Sequence, residues 1–369
     1  MNHWKETAEV VSRLTELAAA GQRAALATVV HIVGSAYRRP GAKFLIEEAG
    51  GTLGSVSGGC LEADVREVAR DVVIATGTPS LRHYKTGADE DMVWGLGLGC
   101  NGMVDVFIQP ATAGPLAAIT GRLRELLAGD SPFALATVVD GPDGSASLGA
   151  TQLIEANGTV LGSLGAANID RPVPERTRAL LSSGRSSIHR IDGHGIFVEV
   201  LPPPPHLLVC GAGDDAQPLV AYAADAGFRV TVLDHRPALL TPERFPQAAR
   251  LIPARPDADV SLPPAHRSRA VVMAHSLAID RGWAQRHLAS GVPYVGMLGP
   301  RERTVTILRE IGAEGEIDSG RVFGPVGLDL GADGPRQVAI SIVAELLAFE
   351  AKREPRHLNE RREAIHAAV

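Results

Sequence analysis

The stretch HLLVCGAGDDAQPLVAYAADAGFRVTVLDHRP, residues 206–237, decides the fold of the second half of this chain. An apolar run, a glycine turn, a helical pattern and a second apolar run follow one another without interruption. Within it GAGDDA (211–216) fits G-x-G-x-x-A, and Asp234 closes the second run 21 residues after Gly213, the spacing of a dinucleotide-binding βαβ unit. Apolar segments at 270–274 and 294–298 then alternate with helical stretches at about 281–290, 301–312 and 335–350. That alternation predicts an α/β, Rossmann-like doubly wound parallel sheet over 206–350. Gly211, Gly213, Asp234 and, in AHSLAID (274–280), His275 and Asp280 fall on its ligand-binding edge. As a cofactor signal the turn is weaker than as a fold signal. Asp214 and Asp215 put two carboxylates where a pyrophosphate would sit, which is unfavourable unless a cation compensates. NAD(P) is therefore not the expected ligand, and an NAD(P)-dependent oxidoreductase is kept as an alternative function.

Upstream, LPPPPH (201–206) marks a boundary, because four prolines continue neither a helix nor a central strand and favour an extended linker. The first two hundred residues repeat themselves. RLTELAAAGQRAALATVV (13–30) is echoed by RLRELLAGDSPFALATVV (122–139), and GAKFLIEEAGGTLGS (41–55) by GATQLIEANGTVLGS (149–163), at an offset of 108 or 109 residues. A duplicated α+β region is expected, with copies at about 4–110 and 115–200 packed around an internal pseudo-twofold. Residues 351–369 are expected to form a charged helical tail.

The duplication isolates what differs between the copies. Where the first has Gly58, Gly59 and Cys60, the second has Ala166, Ala167 and Asn168. After Cys60, the apolar Leu61, Val65, Val68 and Val72 fall on one helical face, so the thiol is expected at or next to a helix N-terminus. Unsatisfied N–H groups and the macrodipole there favour anions and a thiolate. The two glycines admit a ligand close to the backbone, and Ser57 adds a hydroxyl. The competing reading is a small buried residue closing a turn. Two further features belong to the first copy alone: GSAYRRPGAKF (34–44), carrying Arg38, Arg39 and Lys43, and GLGLGCNG (95–102), where Cys100 is a second candidate thiol. Cys210, inside an apolar strand, is expected to serve packing.

Composition narrows the function classes. With 369 residues, 45% apolar content and 21% charge the chain is an ordinary globular one, and a formal charge of -6 without a basic stripe argues against a nucleic-acid partner. The opening segment has an amphipathic pattern through Val10, Val11, Leu14 and Leu17 rather than that of a signal peptide, and no run reaches membrane-span length. Three scattered cysteines make no disulfide framework, which fits a cytoplasmic protein. No zinc-spaced cluster, P-loop or G-x-S-x-G elbow is present in the sequence.

Taken in order, GSAYRRPGAKFLI, GSVSGGCLEADV, the 206–237 stretch, YVGMLGPRERT and GPVGLDLGADGPRQVAISIVAELLA resemble the XdhC/CoxI family, the accessory proteins of xanthine dehydrogenase and related molybdenum hydroxylases. The resemblance spans nearly the whole chain. It implies a cofactor chaperone rather than a turnover enzyme: a protein that binds molybdenum cofactor, as molybdopterin or its cytosine dinucleotide form, and protects it during sulfuration. Delivery to the molybdenum-binding subunit of a hydroxylase, with a cysteine desulfurase as sulfur donor, is the implied sequel. The S-G-G-C-x-E block falls on Ser57, Gly58, Gly59, Cys60 and Glu62, and the later blocks on Gly211 to Ala216, Asp234, Arg301 and Gly327 to Gly331. On this basis Cys60 is expected to ligate or shield molybdenum, Gly58 and Gly59 to admit the phosphate or pterin edge, and Arg38, Arg39 or Lys43 to neutralise phosphate. The acidic turn, where many members have G-A-G-H-V-[AG], looks like the CoxI-like branch associated with carbon monoxide dehydrogenase-type hydroxylases. A homodimer joining the first half of one chain to the Rossmann half of another, and a purely scaffolding role, are the remaining expectations.

Overall fold

The computed structural model describes residues 2–34, 36–85, 102–142, 148–317 and 319–362. It consists of two compact units, residues 2–203 and 204–360.

In the first unit, α1 (Asn2–Ala19) leads into β1 (Ala24–Gly34), β2 (Lys43–Glu47), β3 (Thr52–Gly54), α2 (Glu62–Val68), β4 (Ser80–Lys85) and β5 (Gly102–Pro110). The second copy repeats this with α3 (Gly114–Ala128), β6 (Phe133–Asp140), β7 (Thr151–Glu155), β8 (Val160–Ser163), α4 (Ala167–Asp170), α5 (Pro172–Leu181), β9 (Ser187–Ile191) and β10 (His194–Leu201). The two antiparallel sheets run β3-β2-β1-β5-β4 and β8-β7-β6-β10-β9, one topology used twice. Details repeat as well. Arg13 grips Glu47 at 2.8 Å, as Arg122 grips Glu155. Gly54 and Gly162 take φ of 82° and 90°, and a side chain on either would stand 2.3 Å from a carbonyl oxygen, of Lys43 or Thr151.

Helices α1 and α3 pack together and onto one face of each sheet, with Val10, Val11, Leu14 and Leu17 meeting Leu116, Ile119, Leu123 and Leu126. Each such side chain contributes roughly 1.5–3 kcal/mol relative to exposure. The opposite face of the first sheet is covered by α2 and the π-helical turn that continues it, Ala69–Ile74. That change of helical period explains why Val72 is 37% exposed while Val73 is buried: the wider turn moves the apolar face on by one residue.

The second unit is a six-stranded parallel sheet of β11 (His206–Cys210), β12 (Arg229–Asp234), β13 (Arg250–Pro253), β14 (Ser268–Val272), β15 (Val295–Met297) and β16 (Val322–Phe323). Its order is β13-β12-β11-β14-β15-β16, so the winding reverses between β11 and β14. Alternate strand residues feed two cores. Leu207 and Val209 face α6 (Ala216–Asp225) and α9 (Gly334–Glu350), whereas Leu208 and Cys210 face α7 (Leu277–Ala289) and α8 (Arg301–Glu310). Beyond α9 the expected charged helix is not seen among the described residues. Lys352 turns into the left-handed region at φ 51°, Pro355 follows, and a single turn forms at Leu358–Glu360.

Candidate functional site

The chain leaves β3 through Gly54 and runs over Ser55–Cys60 before entering α2. One carboxylate holds this loop. Glu62 accepts from the Ser55 hydroxyl at 2.8 Å, from the Val56 and Ser57 amides at 3.2 and 2.8 Å, and from the Ser57 hydroxyl. Burial alone would raise this carboxyl, but the hydrogen bonds from Ser57 and Ser55 outweigh it and hold it below its ordinary value. The second copy repeats the clasp: Asp170 accepts from the Ser163 hydroxyl at 2.7 Å and from the Leu164 amide at 2.6 Å. Glu62 and Asp170 thus clasp the same loop in the two copies, and both oxygens of Glu62 are engaged in doing so. Glu62 also sits in the first turn of α2 with Asp64, so two carboxylates offset the positive helix end expected beside Cys60.

Ser57 works inward too, its hydroxyl oxygen accepting from the Gly59 and Leu61 amides at 3.2 and 3.0 Å. Among the described residues nothing accepts from the Gly58 and Cys60 amides, and Gly58, Gly59 and Cys60 are exposed. The Tyr37 ring borders Gly58, 3.8 Å from where a side chain would begin, and is itself 74% exposed. The loop thus presents a thiol, two open N–H groups and an aromatic face. Tyr37 was missed by sequence reasoning although it lies in the SAYRRP loop; an aromatic residue surrounded by small and basic ones was the available signal.

The basic residues of that loop behave differently from expectation. Lys43 is buried on β2, where its ammonium is ion-paired with Glu199 of β10 and donates to the Gly41 carbonyl at 3.0 Å. It cannot neutralise a ligand phosphate, because both its charge and its solvent access are taken. Arg38 donates to both oxygens of Glu6 on α1, at 2.5 and 2.6 Å. Only Arg39 of the three is exposed. Cys100 lies outside the described residues. Cys210 is buried, with its sulfur 3.2 Å from His287 Nε2, and burial pushes its thiol well up, as a packing role requires.

At the ligand edge of the parallel sheet, Gly211 (φ 136°) passes so close to β14 that a side chain would stand 2.4 Å from the Met273 carbonyl oxygen. Asp214 is bound by Arg244 at 2.9 Å and Asp215 by His275 Nε2 at 2.7 Å. His275 is held at φ 58° over Gly213, and Asp280 pins the preceding residue by accepting from the Ala274 amide at 2.9 Å and from Arg303 at 2.5 Å. Asp234 accepts from the Ala212 amide at 2.8 Å and from Arg236 at 2.9 and 3.0 Å. Burial would raise Asp234, but Arg236 and the Arg236 and Ala212 amides bring it below its usual value. Both of its oxygens are occupied, so it is not the open ribose acceptor its position promised. Arg301 starts α8 just past Gly299 (φ 122°), and Gly327 (φ 110°) lies against Ser341.

A duplicated antiparallel unit with an exposed cysteine loop in one copy, followed by a Rossmann unit, defines a recognisable class. The signature described as the XdhC and CoxI family matches residues 17–85 and 126–192, and that of the XdhC Rossmann domain matches 207–346. The chain is 33% identical over 337 residues to a probable xanthine dehydrogenase subunit of Bacillus subtilis, covering 88% of this chain and 93% of that one. It is 28% identical over 234 residues to the uncharacterized protein YqeB of Escherichia coli, over 58% of this chain but 43% of that protein's length. A crystal structure of a xanthine dehydrogenase from Bacillus halodurans matches with a TM-score of 0.74 and 28% identity, over 93% of this chain and 96% of that one. The chain belongs to the XdhC/CoxI family. Among the described residues no helix is long and apolar enough to cross a membrane.

Proposed function

We propose that this chain is a xanthine dehydrogenase accessory protein that carries molybdenum cofactor on the Gly58–Cys60 loop. In this reading it shields the cofactor during sulfuration by a cysteine desulfurase and delivers it, in the cytoplasm, to the molybdenum-binding subunit of a xanthine dehydrogenase- or carbon monoxide dehydrogenase-type hydroxylase. The observation that carries the reading is an asymmetry. Two copies share strand order, loop clasp and ion pairs, yet only the first adds an exposed thiol to the loop. Packing requirements common to both copies give no reason for it.

The residues fit the group. When bound, the cofactor supplies a soft metal and an anionic phosphate on a flat heterocycle. Cys60 offers a sulfur to the metal, and the Gly58 and Cys60 amides are donors for an anionic oxygen. Tyr37 offers a face for the ring system. The carrier role needs no proton transfer by the protein. The test is molybdenum content after loading with isolated cofactor and desalting, for wild type beside Cys60→Ser. Metal kept by wild type and lost by the variant is expected. Equal retention by both would remove Cys60 from the site, and no retention by either would favour an assembly scaffold.

A further inference from the structure

The Rossmann order of the second unit raises the expectation of a dinucleotide at the reversal between β11 and β14. Three positions would recognise it: the amides at the start of α6 for the pyrophosphate, the acid ending β12 for the ribose, and the β14 edge for the far half. The chain's own side chains stand at each. At α6 stand two carboxylates, Asp214 under Arg244 and Asp215 under His275, and Arg244 also donates to the Ala212 carbonyl at 3.1 Å, across the glycine turn. At β12, Asp234 is closed by Arg236 and the Ala212 amide. At β14, the His275 ring lies over Gly213, 3.9 Å from the point where a side chain would begin.

We infer that the Rossmann unit of this chain does not bind NAD(P), and that Asp214 and Asp215 are the residues that exclude it. The two pairs do more than reject. Arg244 comes from beyond β12 and His275 from beyond β14, so the clasps tie the turn to the elements on either side of it. The glycine turn is kept for close approach of β11 to β14, as the Gly211 contact with Met273 requires, and not for a phosphate. The Rossmann unit then contributes to this protein as a closed structural or partner-facing edge without hydride chemistry. This holds whether or not the first unit carries molybdenum.

The experiment titrates the full chain with NADH and NADPH, followed by nicotinamide fluorescence and calorimetry. Wild type should show no saturation up to about 1 mM. The Asp214→Asn/Asp215→Asn variant keeps shape and hydrogen bonding while removing both charges, and should bind at least about tenfold more tightly. Circular dichroism checks that it is folded, and the same pair of substitutions with His275→Ala added, which also takes the ring away from Gly213, serves as a second opening. Saturation of wild type below about 100 μM, abolished by Gly213→Val, would overturn the inference. So would folded variants of both kinds that bind no better than wild type, since the exclusion would then lie elsewhere.

Discussion

Lys43 separates two accounts of the basic loop, and its replacement by methionine tests them. Its side chain is 3% exposed and that of its partner Glu199 is 5% exposed, so Lys43→Met leaves a carboxylate buried without its cation. Uncompensated burial of this kind costs about 3–5 kcal/mol. In a unit of this size each kcal/mol moves the melting temperature by about 2–4 °C, so a fall of about 6–20 °C is expected. The Lys43→Met/Glu199→Leu double variant removes both charges and should recover most of the loss. Thr151, which answers to Lys43 in the second copy, shows what the position needs without a charge: it is buried and donates to the Gly149 carbonyl at 2.9 Å, as Lys43 does to Gly41. Calorimetry or thermal circular dichroism reads the stabilities, and metal retention is measured well below either melting point. Retention should be unchanged in the double variant. A melting temperature within about 2 °C of wild type for Lys43→Met, with loss of metal in both variants, would refute the structural account and return Lys43 to the cofactor site.

Acid sensitivity is expected in both units. His3 and His287 are each lowered to about 4, by burial first and then by Lys43 or Arg286, against an ordinary value of 6.5. The unfolded chain binds protons that the native one does not, so the contribution is complete above about pH 6.5 and is lost as the pH falls toward 4, up to about 3 kcal/mol for each histidine. Urea unfolding between pH 7 and 4.5 measures it; His287→Gln should flatten the slope in the Rossmann unit, and a flat wild-type profile would contradict the assignment. The duplicated turns give a matched pair: Gly54→Ala and Gly162→Ala each force a methyl group against a carbonyl oxygen at positive φ, and each should cost more than about 2 kcal/mol. Loss at one site only, seen by chemical denaturation, would mean that the two copies do not share the turn's mechanical role.

Local periodicity made the elements legible because it acts over a few residues. The stripe Val10, Val11, Leu14 and Leu17 was buried as expected, and the run from Leu207 to Cys210 alternated between two cores. Where the period itself changed, at Ala69–Ile74, the same pattern misassigned Val72, since a π turn is not written in the spacing of apolar residues.

The duplication, the parallel α/β unit after the proline run, and the asymmetry that sets the Gly58–Cys60 loop apart are all written in the chain, because identity of residues at a fixed offset and alternation of apolar segments are carried in one dimension. Which charges are taken follows from packing alone. Lys43 meets Glu199 across 156 residues, Arg38 meets Glu6 across 32, Asp214 meets Arg244 across 30 and Asp215 meets His275 across 60. A charged residue in a loop reads the same whether solvent, a ligand or a distant carboxylate faces it. The partner is chosen by how the sheets and helices pack, and with it whether the residue is a site or a strut.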